Sequence, residues 1–206
     1  MNRTPFLIIL LFNPFIRLAN RIRWRFGRPY KCAGTDTAGI RPLLKPGMVI
    51  LTHKDYELTN LFINGYWTHT AIVTSEDTVV EAISKGVVTK PLQTFLSTVD
   101  DFLILKPRFC SPESMKSASE HVKQFVGLPY NFTFRPDEDS IYCSELVFRA
   151  YAQTPEWNTI ARTSREDVKE FYDGSILLPH SFSKSQLLWQ HVRPSDNSIK
   201  RYSHVN

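Results

Sequence analysis

No acidic residue precedes Asp36 in this 206-residue chain, and no uninterrupted apolar run approaches the roughly 20 residues that cross a bilayer. The run Phe6–Phe12 stops after seven residues at Asn13-Pro14, so a simple transmembrane helix is excluded. Cysteine is scarce. Cys32, Cys110 and Cys143 are widely separated, form no C-x-x-C pair and have no histidine at metal-ligand spacing. That argues against a structural zinc site, and the odd count argues against a disulfide framework, leaving free thiols as the simpler reading. Internal repeats and low-complexity tracts are missing too. What remains, 42% hydrophobic and 22% charged residues over a length that fits one domain, is the composition of a globular protein with a real core.

The net charge of +5 is unevenly placed. Residues 1–31 hold seven Lys and Arg, leaving eighteen against twenty acids in the remainder, so the globular part sits near −2 and offers no general basic field for nucleic acid. Beyond Pro14, Phe15, Leu18, Ala19, Ile22 and Phe26 follow a 3.6-residue period while Arg17, Arg21, Arg25 and Arg28 occupy another face. Residues 1–30 are therefore expected to form a basic amphipathic segment that associates peripherally with an anionic membrane surface, ahead of a domain over 31–206. Two other readings stay open. A secretory signal peptide is partly supported by Arg3 and the short apolar run but has no small-x-small cleavage site, and a helix packed on the domain itself is the second. Whether the membrane face is cytoplasmic or exported is not set by these residues, nor is the oligomeric state.

Among the three thiols, Cys143 stands apart. Asp137, Asp139 and Ser140 offer N-caps, and Leu146, Val147, Ala150 and Tyr151 recur at helical spacing until Pro155, which places Cys143 at the start of an amphipathic helix. There a thiolate meets unpaired backbone N–H groups and the positive end of the helix dipole. A small buried cysteine opening a core helix is the plain structural alternative.

A cysteine nucleophile needs a base. Tyr66 to Val73 has the β-branched and aromatic richness of a strand, with His69, Ala71 and Val73 on one face, and Thr78 to Ile83 runs back after the turn signal Ser75-Glu76-Asp77. A three-residue loop would pair His69 with Ile83 and make Glu81 its diagonal neighbour on the same face, where a carboxylate orients an imidazole. Read alone, His69 is a half-buried strand histidine and Glu81 an exposed strand residue, and a one-residue slip would turn Glu81 away.

The blocks Leu44-Lys45-Pro46-Gly47-Met48-Val49-Ile50-Leu51, Asn64 to Ile72, Val80 to Val88, Gly127-Leu128-Pro129-Tyr130-Asn131-Phe132 and Tyr142-Cys143-Ser144-Glu145-Leu146 together resemble the YiiX/YebB-like group of the NlpC-type cysteine hydrolase superfamily. That group is circularly permuted, so the histidine strand precedes the cysteine helix, as here. The resemblance covers about residues 40 to 155 and implies an α+β, permuted papain-like fold. It also implies Cys143 as nucleophile, His69 as base and Glu81 as the residue orienting His69. Met48 departs from the acidic residue such proteins often carry after the glycine, and Asn131 from a common Asp.

The rest reads as scaffold. Ser111-Pro112 open a helix with Met115, Ala118, Val122, Phe125 and Val126 on its apolar face, Phe102 to Pro107 and Gly86 to Thr89 are further strands, and together these give an antiparallel sheet packed with helices. The last fifty residues show apolar clusters without clean periodicity. His53, His121, His180, His191 and His204 have no local constellation. The expected function is a thiol-dependent hydrolase or acyltransferase, most simply of amidase or peptidase type, cleaving an amide or ester through an acyl-enzyme with no cofactor or metal. A membrane-associated acyl-lipid hydrolase or acyltransferase and a non-catalytic lipid- or ligand-binding module are the alternatives.

Overall fold

The strands of this domain are nearly continuous apolar runs, because the sheet they build is covered on both faces. The computed structural model describes residues 28–57, 60, 63, 65–135, 137–163, 171, 176–185 and 188–192. Residues 1–27, which carry most of the basic amphipathic segment, lie outside them. In chain order the elements are β1 (Val49–His53), β2 (His69–Ser75), β3 (Thr78–Ile83), β4 (Gly86–Pro91), α1 (Leu92–Leu96), β5 (Asp101–Pro107), α2 (Pro112–His121), α3 (Cys143–Ala152), α4 (Pro155–Thr163), α5 (Pro179–Lys184) and β6 (Trp189–Val192). The strands pair antiparallel throughout in the order β4-β3-β2-β1-β5-β6. The expected α+β arrangement is the one observed.

Strand alternation divides the interior in two. Val49, Leu51, Ile72, Val80, Ala82 and Leu105 join α3 and the aromatic cluster of Tyr151, Trp157, Phe182 and Trp189. Ile50, Ala71, Val73, Val79 and Ile104 join Leu92, Phe95 and Leu96 of α1 and the segment from Cys32 to Met48. Leu146 and Val147 of α3 are fully buried, each worth about 1.5–3 kcal/mol of transfer free energy. This helix lies against β2 and β3. Thr154 then accepts the Trp157 N–H and Pro155 takes the first position of α4, so one turn both ends α3 and starts its successor.

Three details differ from the sequence reading. The β2–β3 connection is shorter than expected: Ser75 pairs with Thr78, but a bulge between Val73 and Ser75 restores Ala71↔Glu81, the register a three-residue loop would give. Val126 is exposed, because the helix gives way to a 3-10 turn at Val122–Phe125 and the apolar stripe rotates off the core. The sheet also gains β6 from the C-terminal fifty residues, where four residues are too few for a readable period.

Gly86 holds the segment that follows α2 against the sheet. Its φ is +107°, and a Cβ there would lie 2.6 Å from the Leu128 carbonyl oxygen, so only glycine suits the position. With that approach free, Val87 N–H donates to Leu128 O and Gly127 N–H to Val87 O, fixing Leu128-Pro129-Tyr130 beside β4.

Candidate active site

The β2–β3 ladder runs from Ser75↔Thr78 to Ala71↔Glu81, leaving His69 and Thr70 beyond its end. Into that opening comes the N-terminus of α3. Cys143 is the first residue of the helix, and the flanking Tyr142 makes no side-chain cap. The expected caps are used elsewhere: Asp137 accepts the Asp139 N–H at 3.1 Å and the Ser140 hydroxyl at 2.5 Å, closing the preceding loop on itself. Arg149 then ties that loop to α3, donating to the Asp137 carbonyl and to Glu145 Oε1. A first turn without a capping side chain leaves its N–H dipoles facing the thiol.

His69 is 19% exposed in its side chain and Glu81 only 3%, with 2.7 Å between His69 Nε2 and Glu81 Oε2. Glu81 takes Nε2, so Nδ1 is the nitrogen left for Cys143, with which the imidazole is also hydrogen-bonded. Lys90 Nζ sits against the other oxygen of Glu81. Thr70 presents its backbone N–H to the Cys143 sulfur, and its buried hydroxyl lies close by without a hydrogen bond of its own among the described residues. The structure thus brings together all three residues singled out in the sequence.

The charges of this group reinforce one another. Burial works against the imidazolium of His69, but hydrogen bonds to Cys143 and Glu81 and their negative charge outweigh it and raise the pKa to about 9. Burial likewise opposes the Cys143 thiolate, and the His69 and Thr70 contacts overcome it, so its pKa falls. Glu81 follows the same pattern: desolvation is outweighed by His69 and Lys90, and the carboxyl drops to about 2. The arrangement favours a thiolate–imidazolium pair backed by a carboxylate.

Tyr130 was not legible as a site residue. Its hydroxyl is hydrogen-bonded to Cys143, and burial together with that thiol raises its pKa far above 10, so it stays a donor. The residue is placed by Gly86 on one side and by its bridge to Ile141, just before α3, on the other. The only sequence signal was the Gly-Leu-Pro-Tyr-Asn-Phe block, which has no periodicity to aim a side chain. Neighbouring Asn131 is buried, accepts from Thr133 and Phe134 N–H groups and donates from Nδ2 to Arg135 O at 2.6 Å. An aspartate would lose that last bond, which accounts for the amide here. Met48 packs in the α1-side core, where a carboxylate would be buried without a partner.

His53 does have a constellation, contrary to the sequence reading. Its Nδ1 lies 2.6 Å from Tyr66 O and its Nε2 3.2 Å from Asp55, the ring stacks on Tyr66, and Tyr66 donates to Asp101 at 2.8 Å. The group assembles where β1 ends and β5 begins, from residues tens of positions apart, and steadies the chain leading into His69. His191 meets Ser183 O, His121 packs on Phe125, and the His180 ring fills the space beside Gly65. His204 lies outside the described residues. Among the described residues, no group of three or more His, Cys, Asp or Glu is placed to hold a metal ion, and no helix is long and apolar enough to cross a membrane.

Comparison with known proteins bears on the family and the fold. No curated protein matches the chain. A solved structure of YiiX from Escherichia coli, titled a metalloprotein, superposes with a TM-score of 0.54 at 18% identity, covering 73% of this chain and 97% of that one; at that identity the likeness is one of fold. The profile of permuted papain-like amidase enzymes, YaeF/YiiX, matches residues 43–192, which contain all six strands of the described residues and the whole candidate site. On that match the function is of the cysteine amidase kind, and the chain belongs to the YaeF/YiiX family of permuted papain-like amidases.

Proposed function

We propose that the protein hydrolyses an amide bond by covalent catalysis, with Cys143 as nucleophile, His69 as acid and base, and Glu81 orienting His69. The observation that carries this reading is the position of His69, bonded to Glu81 at 2.7 Å and to Cys143 at the uncapped start of α3. The thiolate attacks the carbonyl carbon. The oxyanion is met by the Cys143 backbone N–H and the Tyr130 hydroxyl. His69 gives its proton to the leaving nitrogen as the C–N bond breaks, leaving a thioester; it then takes a proton from water, whose oxygen attacks the thioester and releases the acid and the thiol. The test is turnover against paired panels of muropeptide-like amides and acyl-lipids, with Cys143→Ala as blank. Hydrolysis confined to the lipid panel would favour the acyl-lipid reading, and no turnover on either the binding-module reading.

Two expected outcomes follow from the same chemistry. With the His69 proton held to about 9, amide turnover loses its general acid as pH rises through that value, so the alkaline limb of kcat/KM lies near pH 9. Glu81→Gln removes the negative charge that favours the imidazolium, so the limb moves to lower pH and the rate falls about 10- to 1000-fold, less than on loss of Cys143. A Glu81→Gln enzyme with an unchanged limb would assign the orienting role elsewhere.

Residues 1–30 are proposed to seat the enzyme on anionic membranes, on the strength of seven cations without an acid among residues 1–31 and an apolar helical stripe. Full-length protein is expected to co-sediment with anionic liposomes, more weakly as salt rises, and a form starting at Tyr30 is not. Equal binding by the two forms would refute the anchor.

A further inference from the structure

We propose that Lys90 is a positioning residue of this site: its ammonium, docked on Oε1 of Glu81, fixes the carboxylate so that Oε2 points at His69, extending Cys143–His69–Glu81 to a fourth member. The inference rests on the catalytic reading above and adds a residue outside it.

Lys90 lies on β4 opposite Val79, while Glu81 lies opposite Val88. It is therefore the diagonal neighbour of Glu81 on one face of the sheet, within reach of a long side chain. The register repeats the relation of Glu81 to His69 across β2 and β3, so three strands deliver three side chains in a row. A carboxylate turns freely about its last torsion unless both oxygens are held. Here one is held by His69 and the other by Lys90. The Lys90 side chain is 24% exposed, far from the free hydration of a surface lysine.

The need for a second anchor comes from the cycle. His69 alternates between imidazolium and neutral imidazole beside a Glu81 side chain that is 3% exposed. A buried carboxylate without a counter-charge takes up a proton or turns away. Lys90 supplies a second positive charge on the far oxygen, keeping Glu81 aimed through the half of the cycle in which the imidazole is neutral. The titratable groups facing His69 are Cys143 from α3 and Glu81 from β3, with Tyr130 reaching Cys143 rather than the imidazole; α1 contributes the Phe95 ring, which does not titrate. Lys90 is thus the cation behind this set.

The experiment needs no known substrate. Alkylation of Cys143 by iodoacetamide is followed by mass spectrometry from pH 4 to 11 in full-length wild type, Lys90→Met, Lys90→Arg and Glu81→Gln; the upper inflection reports loss of the His69 proton. Removing a nearby cation raises the proton affinity of its neighbours, so Lys90→Met is expected to move that inflection up by about one pH unit. Lys90→Arg restores it, and Glu81→Gln moves it down. Should Lys90→Met lose its cooperative melt, Lys90→Gln is read in its place with the same outcomes. A Lys90→Met profile that overlays the wild type while Glu81→Gln shifts overturns the role of Lys90 alone. If neither shifts, the orienting role of Glu81 falls with it.

Discussion

Cys143→Ala is expected to lose about four to six orders of magnitude in turnover while keeping its fold, and His69→Ala nearly as much, with the double variant little worse than either. The near-equality comes from the two side chains acting as one unit: without the imidazole the thiol keeps its proton, and without the sulfur the imidazole has nothing to activate. Stability separates the two variants. Alanine at 143 keeps the Cβ and removes a single sulfur, whereas alanine at 69 strips one partner from a carboxylate that is 3% exposed and leaves it facing Lys90 alone. That costs about 1–3 kcal/mol, so His69→Ala should melt several degrees below wild type while Cys143→Ala does not. Turnover is measured on the best amide from the panel, with thermal melts alongside. Substantial hydrolysis by folded Cys143→Ala would end the covalent mechanism.

How much of this site could be read from sequence depends on how far apart its parts lie. β3 was legible from Thr78 to Ile83, and the start of α3 was legible at Cys143, because alternation and helical spacing are local signals. The His69–Glu81 relation came from the hairpin register, which held although the turn itself is different: the bulge before Ser75 adds back the residue that the tighter turn removes. Lys90 and Thr70 each lie next to residues that were read correctly. What hid them was the question of what faces them, an issue for Thr70 of where α3 docks and for Lys90 of where β4 pairs. Tyr130 sits in a segment without period, aimed by the Gly86 turn and the Ile141 bridge, neither of which is local to it. The His53 group is hidden for the same reason, since Asp101 joins it only because β5 pairs with β1. The helix caps failed in the opposite way: Asp137 and Ser140 are good capping residues, and they bond each other.

The last expected result sets chemistry against exposure. At pH 7 iodoacetamide should modify Cys143 about a hundredfold or more faster than Cys32 or Cys110, although Cys143 is 5% exposed and Cys110 more open. Burial raises the Cys32 thiol to about 11 and the Cys110 thiol to about 12, which leaves about one part in ten thousand and one in a hundred thousand as thiolate at neutral pH. At Cys143 the His69 and Thr70 contacts reverse the effect of burial, and the thiolate is favoured. A low-pKa thiolate is intrinsically slower to react, by about two orders of magnitude over a gap of this size, so roughly two of the four or five orders survive. The advantage should shrink as pH rises towards 11, where Cys32 ionises while Cys143 has no further thiolate to gain. Site-resolved mass spectrometry of the singly alkylated protein reads both the ratio and its trend. Faster modification of Cys110 at pH 7 would mean that solvent access decides reactivity here and that the α3 terminus does not activate its cysteine.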